Sequence, residues 1–512
     1  LGMLPMVVAS GPGSASRQAI GTGVFFGMIV AVSVGILLVP FFFVLIYKAK
    51  GKFNRKRLSG AGLILLAAGT GLSSCQIGKS YTRPDMPLPT RLDTLTQDTA
   101  SIGDLSWWEL YNDTTLQQLI HRALTYNKDL KIASARMNEL AALKRIDFAN
   151  MFPQATARLN GNRETTNYGG DNFDADPELS LTASISWELD LWGNLRWARD
   201  HSTAEFLASV ENCRAVKMGL VAQVAQSYFE LMALDNELAI VRRTLEARRE
   251  GVRLAEIRFK GGLTSEIVFQ QAKVELAKTT TMVPDLERRI SLKESEIALL
   301  TGDFPYAVNR NVLPEEIQLP DALPLGLPST LLERRPDIRK AERELMAAHA
   351  EVGLAYTNMF PRLALTATLG AESETLRDLL KSPYSYLAGN LLSPLFAMGK
   401  NRAALKAKRT AYEGAVAEYE KTVLTAFKET HDAIINFNKI KDIYESRRQL
   451  AEASRTAVEL AQLQYINGVI GYLDLLDAQR NYFDAQVSLS NAVCDKQLMI
   501  INLYKALGGG WK

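Results

Sequence analysis

The sequence predicts a mainly α-helical protein with a small β part, built as one structural plan used twice and completed only when several chains share a β-barrel. Three observations carry this. NMFPQATA at 150–157 returns as NMFPRLAL at 358–365. Four stretches of roughly ten residues read as strands, the length a tilted strand needs to cross a bilayer. Two proline-free stretches, 194–259 and 400–465, keep a helical pattern for about 66 residues each, or about 99 Å at 1.5 Å per residue.

The N-terminal part stands apart from this plan. Residues 18–47 hold no charged side chain, and VFFGMIVAVSVGILLVPFFFVLIY is long enough to span a bilayer as a helix. KAKGKFNRKR follows with six positive charges and no negative one. Then comes RKRLSGAGLILLAAGTGLSSC at 55–75, whose apolar run is too short for a permanent span and suits an export signal. If the basic linker stays in the cytoplasm, Cys75 emerges on the exported side. The formal charge of +3 and 22% charged residues give no electrostatic case for nucleic acid. Three cysteines, Cys75, Cys213 and Cys494, make no disulfide framework, and the last two read as packing residues of helices.

Behind Cys75 the repeat is large. DLKIASARMNELAALKRIDFANMFP from Asp129 aligns without gaps to DIRKAERELMAAHAEVGLAYTNMFP from Asp337, an offset of 208. RFKGGLTSEIVFQQAK at 258–273 matches QYINGVIGYLDLLDAQ at 464–479, and Gly193 and Gly302 match Gly399 and Gly508, at an offset of 206. This reads as a tandem duplication: a first repeat at 76–302, a Pro-rich joint at 303–328, and a second repeat at 329–512. Each half is helix, two strands, long helix, tight turn, helix.

In the first half ATARLNGN alternates weakly, and ELSLTASISWELDLWG alternates strictly. Leu179, Leu181, Ala183, Ile185, Trp187, Leu189 and Leu191 face one way, and Ser180, Thr182, Ser184, Ser186, Glu188 and Asp190 the other. In the second half Leu363, Leu365, Ala367 and Leu369 share a face. The fourth strand, near 385–396, fits worst, with Gly389 and Ser393 on the expected apolar face. Four strands cannot close a barrel, since about eight is the smallest that works. An open sheet in lipid would leave its edges unpaired. Several chains must therefore share one barrel, an oligomeric pore with apolar faces on lipid and polar faces on a wet lumen.

Shorter helices are expected at 113–150, 265–301, 330–358 and 471–506, with two of them beside each long helix on narrow stripes suited to coiled-coil packing. Pro284 should kink its helix near 279–284. Gly261, Gly262, Asn467 and Gly468 mark the tight turns at the far tips. Beside the second tip, YLDLLDAQR places Leu473, Asp477 and Arg480 at i, i+4 and i+7, with Asp474 adjacent. From spacing alone this is a solvated face with a local Asp477–Arg480 pair worth a few tenths of a kcal/mol. The search for catalysis is thin: His121, His201, His349 and His431 are isolated, without metal-ligand spacing, and neither G-x-S-x-G nor a phosphate loop occurs. No enzyme, metal or dissociable cofactor is expected.

LSSC ending at Cys75 resembles a bacterial lipobox, which implies a covalent lipid on Cys75 as the only attached group. Gln76 stands where an inner-membrane retention aspartate would be. LPMVVASGPGSASRQAIGTGVFFGMIVAVSVGILLVPFFFVLI resembles the last transmembrane helix of an RND-type efflux pump. Residues 1–50 thus read as a pump tail, a fusion or a misread gene start, with 51–75 as the lipoprotein signal. From Cys75 onward the chain resembles the outer-membrane lipoproteins of RND-type tripartite efflux systems, in the TolC-like outer membrane factor family. The matching stretches include CQIGKSYTRP, WWELYNDTTLQQLIHRALTYNKDL, LSLTASISWELDLWGNLR, RFKGGLTS, LPSTLLERRPDIRKAERELMAAHAEVGLA and YLDLLDAQRNYFDAQ.

The resemblance implies a homotrimer with a twelve-stranded outer-membrane barrel over an α-helical barrel that crosses the periplasm of a Gram-negative bacterium. It implies an exit channel for drugs or other small toxic molecules, working with a periplasmic adaptor and an inner-membrane RND pump. The tips at Gly261, Gly262, Asn467 and Gly468 would meet the adaptor or pump, and Leu473, Asp474, Asp477 and Arg480 would form the periplasmic gate. The alternatives are a lipid-anchored periplasmic coiled-coil scaffold without a pore, or a channel of the same kind for protein secretion or metal efflux.

Overall fold

A computed structural model describes residues 76–87, Trp107, 113–166, 174–311 and 328–510. The pump-like stretch, the signal segment with Cys75, and most of the 303–328 joint lie outside these residues.

The region expected as one helix over 113–150 is two, α1 (Thr114–Tyr126) and α2 (Lys128–Ala149). Asn127 makes the break. Its backbone is extended, its side-chain oxygen accepts the Leu130 N–H at 2.9 Å to cap α2, and its Nδ2 donates to the Leu300 carbonyl at 3.0 Å. Asp113 caps α1 through the N–H groups of Thr115 and Leu116. Then follow β1 (Gln154–Thr166), β2 (Asp174–Leu189), α3 (Asn194–Lys260) and α4 (Glu266–Thr301).

The second half repeats the order. The helix expected over 330–358 is divided into α5 (Pro328–Arg334) and α6 (Pro336–Thr357), because Pro336 pushes Arg335 into an extended conformation. Next come β3 (Arg362–Ser373), a short 3-10 turn, β4 (Pro383–Leu392), α7 (Lys400–Ile466) and α8 (Tyr472–Ala506). β4 ends before the expected 396, since Pro394 has no N–H to extend a ladder. α4 runs unbroken through Pro284. The hydroxyls of Thr279 and Thr280, just upstream, bond back to the Glu275 and Leu276 carbonyls.

All four strands lie in one antiparallel sheet in the order β1-β2-β3-β4, so the β2–β3 pair joins the two halves. The register confirms the alternation: Ala183 lies opposite Ala157 and Leu369, and Ser184 opposite Thr156 and Thr368. Leu159, Leu181, Ile185, Leu369 and Leu387 are exposed on the apolar face, the last at 79%. On the other face the Ser184 and Thr368 hydroxyls meet at 2.9 Å. Among the described residues, β1 and β4 have no strand on their outer edges.

α2 and α4 pack along α3, and α6 and α8 along α7, while α6 and α8 also touch α3. The largest core lies midway, where Leu116, Ile120, Tyr228, Leu231, Ile297 and Ile501 are almost fully buried. Each such side chain contributes about 1.5–3 kcal/mol. At one end of this core Arg335, 4% exposed, donates to Asp337, to Glu429 at 2.6 Å and to the Ala426 and Ala506 carbonyls. One guanidinium thus binds α6, α7 and the end of α8. Cys213 and Cys494 are both free thiols. Cys494 is buried against the Phe229 carbonyl, and burial pushes its thiol up to about 12.

Candidate functional site

The two tips are built alike. Gly262 and Gly468 take left-handed conformations, with φ of 73° and 72°, that only glycine adopts freely. The Leu263 N–H then closes onto the Arg258 carbonyl at 2.8 Å, and the Val469 N–H onto the Gln464 carbonyl at 2.9 Å. Arg258 joins one tip to the other. It donates to the Tyr465 and Ile466 carbonyls at 3.3 and 3.2 Å, and its guanidinium lies 4.5 Å from the Tyr465 ring centre. A guanidinium there also meets the negative end of α7. Behind it Ala255, Ala272, Tyr465, Tyr472, Leu475 and Leu476 form a small separate core. Leu263, Ile267 and Val469 remain exposed at the surface of the tips.

The expected gate residues divide into two kinds. Leu473, at 60% exposure, Asp477 and Arg480 are all on the open side of α8. Asp474 is a cap: its Oδ2 accepts the Gly471 N–H at 3.0 Å and fixes the start of α8. Arg480 does not bond to Asp477. It crosses to Glu275 on α4, while Asp477 accepts only from Asn481 at 3.2 Å among the described residues.

Glu275, itself buried, is the centre of a charged cluster. Lys278 donates to it at 3.1 Å, and Arg248, 7% exposed, stands 4.0 Å away while donating to Gln479 at 2.5 Å. Three cations therefore surround one carboxylate. The Arg480 hydrogen bond holds the Glu275 carboxyl below the usual range against the opposing effect of burial. Burial lowers the Arg248 guanidinium, Arg480 lowers it further, and Glu275 opposes both. Chemically the arrangement is a lock between α3, α4 and α8, with Asp477 left facing outward. Sequence reasoning missed Glu275 and Arg248. The offset of 206 sets Glu275 against Asn481, so a carboxylate in one half and an amide in the other was the available signal.

At the opposite end the residues after Cys75 form a strap. Gln76 donates to Asp200 at 3.1 Å, the Ile77 N–H to the Trp192 carbonyl at 3.1 Å, and the Trp197 indole to the Ile77 carbonyl at 3.0 Å. Arg83 makes a bidentate pair with Glu342 at 2.6 and 2.7 Å. The strap begins where β2 turns into α3, beside the stacked rings of Trp192 and Phe360. Cys75 itself lies outside the described residues, but its neighbour Gln76 is held at this strand–helix junction. His201 and His349 are apart from the tips: a His201 ring nitrogen sits 3.1 Å from the Ala347 carbonyl, and His349 lies among the Tyr81, Trp197 and Tyr412 rings.

The chain is similar to known proteins. The model of the outer membrane efflux protein family matches residues 119–303 and again 327–509, and that of the AcrB/AcrD/AcrF family matches residues 1–47. The outer membrane protein OprJ of Pseudomonas aeruginosa is 31% identical over 473 residues, which are 89% of this chain and 97% of OprJ. The probable outer membrane lipoprotein SilC of Salmonella typhimurium is 29% identical over 468 residues, covering 90% of this chain and 99% of SilC. The solved outer-membrane channel OprN superimposes with a TM-score of 0.79 at 29% identity, over 85% of this chain and all of that one. With its two matched halves, its sheet and its paired long helices, the chain belongs to the outer membrane efflux protein family.

Proposed function

We propose that three copies of this chain form the outer-membrane exit duct of a tripartite RND-type efflux system, through which drugs or other small toxic molecules leave passively. The carrying observation is the four-stranded sheet. It has one exposed apolar face, no strand on either outer edge among the described residues, and two strands, β2 and β4, that lead through short turns into helices of 67 residues. Lipid requires every edge to be paired, so β4 of one chain meets β1 of the next, and three chains make twelve strands around a polar lumen. The helices continue the wall for about 100 Å. The two halves descend from one duplicated unit, a reading supported by their common element order and the double family match.

Cys75 carries the lipid that fixes the chain to the outer membrane; the strap geometry and the relative SilC support this. The tips at Gly261, Gly262, Asn467 and Gly468 dock the periplasmic adaptor, and the AcrB-type match at 1–47 supports a pump of that class as partner. Near the tips, Leu473 narrows the pore, and Asp477 and Arg480 hold the α8 helices in the closed state. The test is ion conductance in planar bilayers together with heat-resistant trimers on gels. Discrete single-channel steps from the trimer are expected. A monomer that conducts nothing would leave a periplasmic scaffold instead.

A further inference from the structure

We propose that the cavity under the strap binds an anionic phospholipid of the leaflet that receives the Cys75 anchor; this rests on the membrane-spanning reading above. The cavity has a volume of 630 Å³ and lies where the strap crosses α3, α6 and α7. Its walls are apolar and aromatic, from Ile77, Trp197, Val352, Tyr356 and Tyr412. Arg409 and Lys79, both exposed, also line it.

Charge selects the occupant. The start of α7, KNRAALKAKR, carries five cations and no acid. Lys408 pairs with Glu351 at 2.7 Å, but among the described residues Arg402, Lys406, Arg409 and Lys79 have no ion pair. Arg402, Lys406 and Arg409 follow at i, i+4 and i+7 and share one face of α7, of which Arg409 lines the cavity. The first half shows the balanced version of the same place: Arg196 pairs with Asp190 and Arg199 with Asp200. The second half has Phe396 where the first has Asp190, and nothing replaces the lost carboxylate.

Location selects a lipid rather than another anion. Tyr356 is in the last turn of α6, six residues before β3 begins, so the cavity lies at the membrane boundary of the sheet. Aromatic rings beside basic groups suit the headgroup layer. A cavity of this size with few polar groups suits a ligand with an apolar body. Most of its walls come from the strap, α3 and α6, and Arg409 and Tyr412 come from the first turns of α7, on the β4 side of the chain.

The test is native mass spectrometry of the detergent-purified channel with added phosphatidylglycerol or phosphatidylcholine. Retention of phosphatidylglycerol at up to one per chain, and about tenfold less phosphatidylcholine, is expected. The triple variant Arg402→Gln, Lys406→Gln, Arg409→Gln should lose that preference while keeping trimer mass and conductance. Val352→Trp, which fills the cavity and leaves the cations, should lose retention as well. Equal retention of the two lipids, or wild-type preference in the triple variant, overturns the proposal. So does complete displacement by millimolar inorganic phosphate, which would show a simple anion site. A wild type that conducts no ions yet keeps the lipid preference defeats the channel reading and supports this site.

Discussion

The two long helices have the same length, 67 residues, and the same place in their halves, yet they are packed differently. α3 buries roughly twice as many residues as α7, almost continuously over 218–234, because α2, α4, α6 and α8 surround it. α7 packs against α6 and α8 and leaves Leu424, Ile435, Leu450, Leu460 and Leu463 exposed. A helix with apolar residues on two sides and partners on one is half of an interface. Under the assembly proposed above, α7 and β4 form one rim of the chain, and α2, with exposed Ile132 and Ile146, forms the other with β1. In that proposed assembly the repeated plan has specialised, with one long helix as the core of the chain and the other as its seam.

The largest test of this contrast is charge placed on each helix. Val224→Asp, at a fully buried site on α3, should abolish folded protein, measured as outer-membrane abundance. Leu424→Asp with Ile435→Asp, on the open face of α7, should leave a folded chain but remove most heat-resistant trimers. If both variants fail alike, α7 has no special role as a seam.

Next in size is Arg335, which joins the end of α8 to α6 and α7. Arg335→Ala should cost about 1–3 kcal/mol, because it removes the buried guanidinium's bonds to the Ala426 and Ala506 carbonyls and leaves the part-exposed Asp337 and Glu429 carboxylates unpaired, and should lower the thermal midpoint by a few °C. Burial tends to raise the Asp337 carboxyl, but the Arg335 hydrogen bond and charge outweigh it, and the carboxyl lies below its ordinary 3.8. Its contribution is therefore complete above that value and is lost as pH falls through the depressed one. Acid melts of wild type should steepen below about pH 4, and those of Arg335→Ala should not.

The tips give a smaller, functional effect. Asp477→Ala with Arg480→Ala should raise single-channel conductance several-fold and admit added antibiotics, and Glu275→Gln should reproduce the Arg480 part alone. Since Arg480 holds the Glu275 carboxyl below its usual 4.5, the lock is intact above that value and opens as pH falls through the lowered one. Wild-type conductance in the double variant would remove the gate from this place.

The smallest effect compares the starts of the long helices. Asp190 accepts the N–H groups of Leu195 and Arg196 at 3.0 and 3.1 Å, while the matching Phe396 caps nothing. Asp190→Ala should cost about 1 kcal/mol, and Phe396→Ala almost none, by thermal melts.

Much of the fold was legible because its signals are local. Strict alternation set the β2 face, the absence of proline set both long helices within a residue or two, and Gly262 and Gly468 set the turns. The break at Arg335 was missed although its signal, Pro336, is the next residue. The break at Asn127 was less legible, since its side chain is also held by the distant Leu300 carbonyl. The candidate gate shows the same limit. Leu473, Asp477 and Arg480 share a face by spacing alone, whereas the partner of Arg480 is Glu275, 205 residues away. Asp474, which the resemblance puts in the gate, also caps α8 through the Gly471 N–H.

The central claim is that separate chains seal one barrel through β1 and β4. In one chain these strands are three spacings apart, about 14 Å, too far for a disulfide. With Cys213 and Cys494 replaced by serine, Ala157→Cys should therefore be paired with cysteines scanned along β4, such as Leu387→Cys, and the oxidised protein run on a denaturing gel. The account predicts cross-linked species of two and three chains and none larger. A chain that stays monomeric at every β4 position, or a ladder that continues past three, would contradict it.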